Sequence, residues 1–280
     1  MISQDVIIPV DGSSMPAYLA RPQEGSGSHP AVIVLQEVFG FTPETKRVTD
    51  LLASIGYVGL AINYYHRTIP QMAEPYTEEG LKNAERSCSS VTAQNFISDV
   101  RGAIEWLNGQ PFVKAGKIAT WGFDFGANAA FVTSGLRELS GAILFYPTHL
   151  ADSMPSGGDP PLDHAADVNI PLLIVFGQQD YYVPRADMDL ITQSLKNAKK
   201  DARVQVYPNV GHAFFRHGRP QAIMELQRYS DEAVAQAVAD SWDLVKSFLM
   251  DIFNRPARHG AETGDIRTER TQSIQAGTTR

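Results

Sequence analysis

An aspartate occupies position 124 in a setting that usually presents a serine or cysteine. Residues 117–132 read as a short apolar strand, then Gly122-x-Asp124-x-Gly126, then a helix-forming run. Flanking glycines let a chain turn sharply from strand to helix, and such a turn lifts its middle side chain into a site. Downstream, the apolar strand 171–177 runs into a loop carrying Asp180, and the strand 204–207 runs into a loop carrying His212. Candidate nucleophile, acid and base therefore follow one another along the chain, the last two on loops just after strands. The carboxylate changes the chemistry. With an ordinary pKa of about 4 it is an anion at neutral pH and needs no base before it attacks. Attack on an acyl carbon would give a mixed anhydride that falls back to substrate. Attack on a saturated carbon bearing a halide or an epoxide oxygen would instead give a stable alkyl ester, which water activated by His212 can cleave. A third route keeps Asp124 non-covalent, as a general acid or base beside His212.

These residues belong to a longer pattern. Leu35-Gln36-Glu37-Val38-Phe39-Gly40 follows the strand 31–35, Asp180 is followed by Val183-Pro184, and Gly211-His212-Ala213-Phe214 has Arg216 four residues after the histidine. With the elbow, they resemble the dienelactone hydrolase family of α/β hydrolases, over most of residues 1 to about 252. The resemblance implies a triad in which Asp180 is the acid and His212 the base, with cysteine as the usual nucleophile. It also implies an oxyanion hole from the backbone N–H groups of Val38 and Phe125, and a Glu37 that contacts the resting nucleophile. Family members hold a carboxylate substrate with arginines. Arg216 matches one by its spacing, Arg86 is a looser candidate, and Tyr146 at the end of a core strand is a further substrate contact. The chain departs from the family at Asp124 and again at Ala127-Asn128, which replaces a second glycine. If Glu37 lies beside Asp124, two like charges at short range would raise one pKa and leave one carboxyl able to donate. Three functions stay open: a hydrolase of a small anionic ester, lactone or alkyl-type substrate; a lyase, isomerase or cyclase using Asp124 and His212 as acid and base; or a binding protein that has lost catalysis.

Such a site needs a scaffold, and the chain supplies one. A hairpin is expected around Asp11-Gly12. Buried-type strands follow at 31–35, 58–62, 117–120, 142–146, 172–176 and 204–207, with helical patterns at 43–55, 92–109, 125–136 and 185–197. This alternation predicts an α/β fold: a mostly parallel sheet covered by helices on both faces, its site at the strand C-terminal ends. Val234, Val238, Trp242, Val245, Phe248, Leu249 and Ile252 form one helical stripe, so a last helix is expected to pack on the core. Two longer connections, 64–90 and 149–169, are expected to serve as lids or binding loops. One domain over 1–253 is expected, followed by a polar tail over 254–280 that is either disordered or an arm onto a neighbour.

Composition narrows the partners. A net charge of −7 argues against nucleic acid or an anionic membrane, which leaves a small-molecule substrate and, beyond it, a homo-oligomer as the partners to consider. The single cysteine, Cys88, cannot form an internal disulfide, sits in a polar segment without an elbow, and is read as an incidental thiol. The seven histidines show no metal-ligand spacing and no glycine-rich phosphate loop is present, so neither a metal nor another cofactor is expected. Without a basic leader or a long apolar run, a cytoplasmic location is expected.

Overall fold

The computed structural model describes residues 1–23, 25, 27–216 and 230–256. Its strands are β1 (Ile2–Val10), β2 (Ser13–Arg21), β3 (His29–Leu35), β4 (Val58–Ile62), β5 (Val113–Phe123), β6 (Gly141–Phe145), β7 (Leu172–Gly177) and β8 (Ala202–Tyr207). They form one eight-stranded sheet in the order β1-β2-β4-β3-β5-β6-β7-β8. β1 and β2 are the expected hairpin, turned by Asp11 and Gly12 at φ 48° and 75°, the positive angles that a tight two-residue hairpin turn requires. β2 is antiparallel to β4, and every pairing from β4 to β8 is parallel.

The central strands are apolar on both sides because helices cover both faces. Within β3, Ile33 and Leu35 enter one core while Val32 and Val34 enter the other. The first core is closed by Phe96 and Val100 of α3 (Ala93–Asn108), Ala129 of α4 (Phe125–Val132) and Ile191 of α5 (Arg185–Asn197). The second is closed by Val48 and Leu52 of α1 (Pro43–Ser54) and by Val245 and Phe248 of α6 (Asp231–Asn254). The last helix thus packs as its stripe predicts. Trp242 is only half-buried, stacked on Trp121 with ring centroids 5.9 Å apart.

Two expectations need correction. The segment 64–90 is not a plain connection, since it contains α2 (Glu78–Cys88). Thr77 caps that helix by accepting from the Gly80 amide, and Leu81, Ala84 and Cys88 recur at helical spacing on its inner side. The helix expected over 125–136 stops at Val132 and tightens into a 3-10 turn, Thr133–Gly135. The tail from residue 257 onward lies outside the described residues.

A polar clamp ties the hairpin to α3. The Ser13 hydroxyl lies 3.0 Å from His66 Nδ1, and His66 Nε2 lies 3.0 Å from Asp99 Oδ1. Arg67 meets the same carboxylate oxygen at 2.7 Å and also bonds Asp11 in the hairpin turn. Among the described residues, no helix is long and apolar enough to cross a membrane.

Candidate active site

The end of β5 carries the elbow. Asp124 has φ 54° and ψ −117°, a conformation that costs a non-glycine residue about 1–3 kcal/mol and persists only where its surroundings enforce it. The glycines make the enforcement possible. A β-carbon on Gly122 would overlap the Gly126 carbonyl, and one on Gly126 would overlap the carbonyls of Leu35 and Gln36. The Asp124 amide is tied to the Phe145 carbonyl at 3.0 Å. The carboxylate therefore stands at the N-terminus of α4, where exposed N–H groups and the helix dipole favour negative charge.

Four loops converge on it, those after β3, β6, β7 and β8. His212 Nδ1 lies 2.9 Å from Asp180 Oδ2, and His212 Nε2 lies 3.4 Å from Asp124 Oδ1. Asp180 is itself fixed, its Oδ1 accepting from the Tyr182 amide at 2.8 Å and the Val183 amide at 3.0 Å. The imidazole ring is flanked by Tyr146 and Tyr182, with centroids 5.0 and 4.9 Å away. Val38 N–H donates to Asp124 Oδ2 at 3.3 Å, and the Thr148 hydroxyl donates to Oδ1 at 2.9 Å. Val38 is held in turn by Tyr65, whose hydroxyl bonds its carbonyl, while Tyr64 bonds the carbonyls of Gln36 and Glu37.

The charges follow from this packing. A carboxylate only accepts hydrogen bonds, so an imidazole between two of them needs both ring protons. Burial opposes that charge on His212, but Asp180 and Asp124 outweigh it and push its pKa up to about 10. Burial likewise opposes charge on Asp124. The bond and charge of His212, the Thr148 hydroxyl and the Phe125 amide overcome it and hold the Asp124 pKa below its ordinary value. The centre is a buried imidazolium between two carboxylates.

The remaining residues divide. Glu37 does not bond Asp124; it forms a buried ion pair with Arg216, because a guanidinium offers the opposite charge that a second carboxylate lacks. Burial still lifts the Glu37 pKa, with Arg216 opposing and Asp124 reinforcing the rise. Of two carboxyls in one region it is thus Glu37, not Asp124, that is pushed toward the protonated form. Arg216 stacks over Tyr76 at 4.3 Å and Phe39 at 5.1 Å, and its Nε and Nη1 have no partner among the described residues.

Beside Asp124 opens a cavity of about 280 Å³. Val38, Phe39 and Arg216 form one wall, Leu81, Glu85 and Cys88 of α2 another, and Thr148, His149, Pro155 and Tyr182 the rest. Both long connections thus contribute walls. Arg86 does not. It points away on α2, exposed and bonded to Asn83. Tyr146 is fully buried behind His212 and borders a separate small recess with Glu37 and Glu44, its hydroxyl without a partner among the described residues. A larger recess of about 520 Å³, between α3 and the 149–169 segment, contains none of Asp124, Asp180 and His212.

Two wall residues escape a reading of sequence. Thr148 carries no motif. Cys88 is buried in the cavity wall, its thiol 3.3 Å from the Tyr65 hydroxyl; burial pushes its pKa up to about 12, so it meets the cavity as a neutral thiol rather than a reactive thiolate. The spacing Leu81, Ala84, Cys88 is the signal that identifies it. Among the described residues no group of three or more histidine, cysteine, aspartate or glutamate side chains is arranged to hold a metal ion.

Comparison with known proteins adds to the geometry. The sequence model of the dienelactone hydrolase family matches residues 15–253. A protein of Synechocystis sp. named as a carboxymethylenebutenolidase is 30% identical over 244 residues, covering 87% of this chain and 94% of its own. A Bradyrhizobium protein named as a lactonase of 2-oxo-3-(5-oxofuran-2-ylidene)propanoate is 28% identical, covering 76% and 84%. Among solved structures, a Klebsiella pneumoniae protein described as a dienelactone hydrolase superposes with a TM-score of 0.76 at 25% identity, covering 89% of this chain and 98% of its own.

Proposed function

The chain belongs to the dienelactone hydrolase family and is a hydrolase of that kind, and from that premise we propose that it acts on a small carboxylate-bearing substrate at a saturated carbon, through an alkyl ester on Asp124. One observation carries this reading: Asp124 Oδ2 already accepts the Val38 N–H, while Oδ1 meets His212 and Thr148, both in the cavity wall. In acyl transfer a substrate carbonyl must enter that amide position, and here it would have to displace a carboxylate. In alkyl transfer the two roles coincide. Oδ1 attacks carbon, Oδ2 stays on the Val38 amide, and the later oxyanion forms on Asp124 itself.

The proton ledger closes. Oδ1 bonds the substrate carbon as the carbon–oxygen bond to the leaving oxygen breaks, and the His212 imidazolium gives that oxygen its Nε2 proton. Its 3.4 Å contact to Oδ1 is the looser of its two and the easier to surrender. Esterified, Asp124 is neutral, so one of the two charges holding the His212 proton has gone. His212 then takes a proton from water, the hydroxide adds to the Asp124 carboxyl carbon, and the tetrahedral intermediate expels the substrate alkoxide, which receives that proton. The hydroxide's own proton, left on the regenerated Asp124 carboxyl, passes to His212 and restores the carboxylate–imidazolium pair. A substrate whose leaving oxygen needs protonation, such as an epoxide, suits an acid placed here, whereas a lactone opened on its alkyl side leaves as a carboxylate and needs no proton. Arg216 in the cavity wall, its Nε and Nη1 unpartnered among the described residues, favours a carboxylate on that substrate, and the relative named as a lactonase supports a compact oxygen heterocycle.

Trapping tests it. A His212→Gln chain incubated with a haloacid such as chloroacetate, whose halide leaves without a proton, is expected to gain one carboxymethyl group on the peptide containing Asp124. No adduct there, with turnover of the same compound by the unaltered chain, contradicts the covalent route and favours Asp124 as a general acid or base.

A further inference from the structure

The two departures at the elbow, Asp124 and Asn128, are joined through space. Asn128 lies one helical turn after Asp124 on α4 and is fully buried. Its amide nitrogen donates to the Thr148 carbonyl at 3.3 Å and to the His149 carbonyl at 2.7 Å. His149 is at φ 53°, outside the conformations an ordinary side chain prefers, so this stretch after β6 depends on outside bonds for its path. Fixed there, Thr148 turns its hydroxyl back to Asp124 Oδ1 at 2.9 Å. A glycine at 128 would have no side chain to make either bond.

We propose that Asn128 and Thr148 are positioning residues that adapt this elbow to a carboxylate nucleophile. Asn128 sets the backbone of 148–149, and Thr148 and Val38 then hold one Asp124 oxygen each. A cysteine sulfur has one reacting atom and a lone rotamer to set. A carboxylate has two oxygens in a plane that must be fixed, since rotation about the Cβ–Cγ bond would exchange them between amide and cavity. Thr148 occupies one lone pair of Oδ1 and leaves the other directed toward His212 and the substrate space. This device rests on the covalent reading for its purpose, but not for its geometry.

The test therefore reads both. In one arm, the Asp124 carboxyl of the full chain is followed by carbon NMR through an acid titration. Thr148→Val and Asn128→Gly are expected to raise its midpoint by removing a hydrogen bond to the anion, and Thr148→Ser is expected to restore it. In the other arm, the rate of carboxymethyl adduct formation from chloroacetate is measured in the His212→Gln background. Thr148→Val and Asn128→Gly are each expected to slow it by about 10–100-fold, the scale of a misplaced reacting group. The double variant should be no slower than the worse single one, because both act through one contact. Thr148→Val removes only the hydroxyl and carries the test alone if Asn128→Gly does not fold. An unchanged titration midpoint in Thr148→Val overturns the proposal, as does an unchanged adduct rate beside a shifted midpoint. Shifted midpoints with no adduct in any chain uphold the positioning while removing the covalent reading.

Discussion

Two buried histidines in this molecule each meet an aspartate at nearly the same distance, yet only one stands beside a cavity. His212 lies 2.9 Å from Asp180, and His66 lies 3.0 Å from Asp99. The difference is on the far side of each ring. His66 faces the Ser13 hydroxyl, which can donate, so a single imidazole N–H satisfies both neighbours. Its aspartate also carries Arg67, and none of the described cavities reaches Ser13, His66 or Asp99. His212 faces a second carboxylate, must carry both protons, and opens onto space for a substrate. A carboxylate–imidazole pair is thus a structural clamp or an acid–base centre according to what occupies the third position and whether anything can reach it.

Substitutions should separate the pair most sharply at that third position. Asp124→Asn is expected to lower turnover by about four orders of magnitude or more, as loss of a nucleophile does. Ser13→Ala is expected to leave turnover unchanged in the same steady-state assay. At the rings themselves, His212→Gln should abolish steady-state turnover while the fold persists. His66→Gln should keep full turnover but lose about 1–3 kcal/mol of stability in denaturant unfolding, because it leaves a buried partner unmatched. If His66→Gln and His212→Gln had the same kinetic effect, the distinction between clamp and centre would be wrong.

pH offers a gentler probe. The His212 pKa is raised from 6.5 to about 10 by its two carboxylates. A raised folded-state pKa gives stability that is complete below about 6.5 and lost as pH rises through about 10. The melting temperature should accordingly fall between neutral pH and about 10. In Asp124→Asn the decline should begin at lower pH, since one of the charges holding the proton is gone. Asp124 works in the opposite direction: its depressed pKa stabilises the fold above the ordinary carboxylate range, and that share is lost in acid. The smallest effect is at Ser13, where the alanine variant should cost about 0.5–1.5 kcal/mol, the net worth of one hydrogen bond.

Much of this was legible in the sequence, for physical reasons that also mark where legibility ends. Alternating apolar strands and helices announced the sheet, and the glycines around Asp124 announced the elbow, because both depend on local periodicity or on one permitted backbone path. Asp180 and His212 could be read since each follows a strand whose end is fixed. Thr148 could not, as its importance lies in a hydrogen bond across 24 residues. Glu37 was expected against the nucleophile, but the pairing that a buried Arg216 imposes depends on three-dimensional proximity alone. The place of Cys88 in the cavity wall is not legible from its polar neighbours and follows only from α2, whose signals are the cap at Thr77 and the spacing from Leu81.

The central claim is that Asp124 forms the bond to carbon, and oxygen transfer tests it most directly. The unaltered chain is taken through a single turnover of a small epoxide or lactone carboxylate in heavy-oxygen water, digested, and the Asp124 peptide weighed. Water cleaves an alkyl ester at its acyl carbon, so the heavy oxygen should appear in the Asp124 carboxylate and the alcohol oxygen of the product should come from the enzyme. Complete turnover with an unlabelled Asp124 peptide and the label in the product would contradict the account.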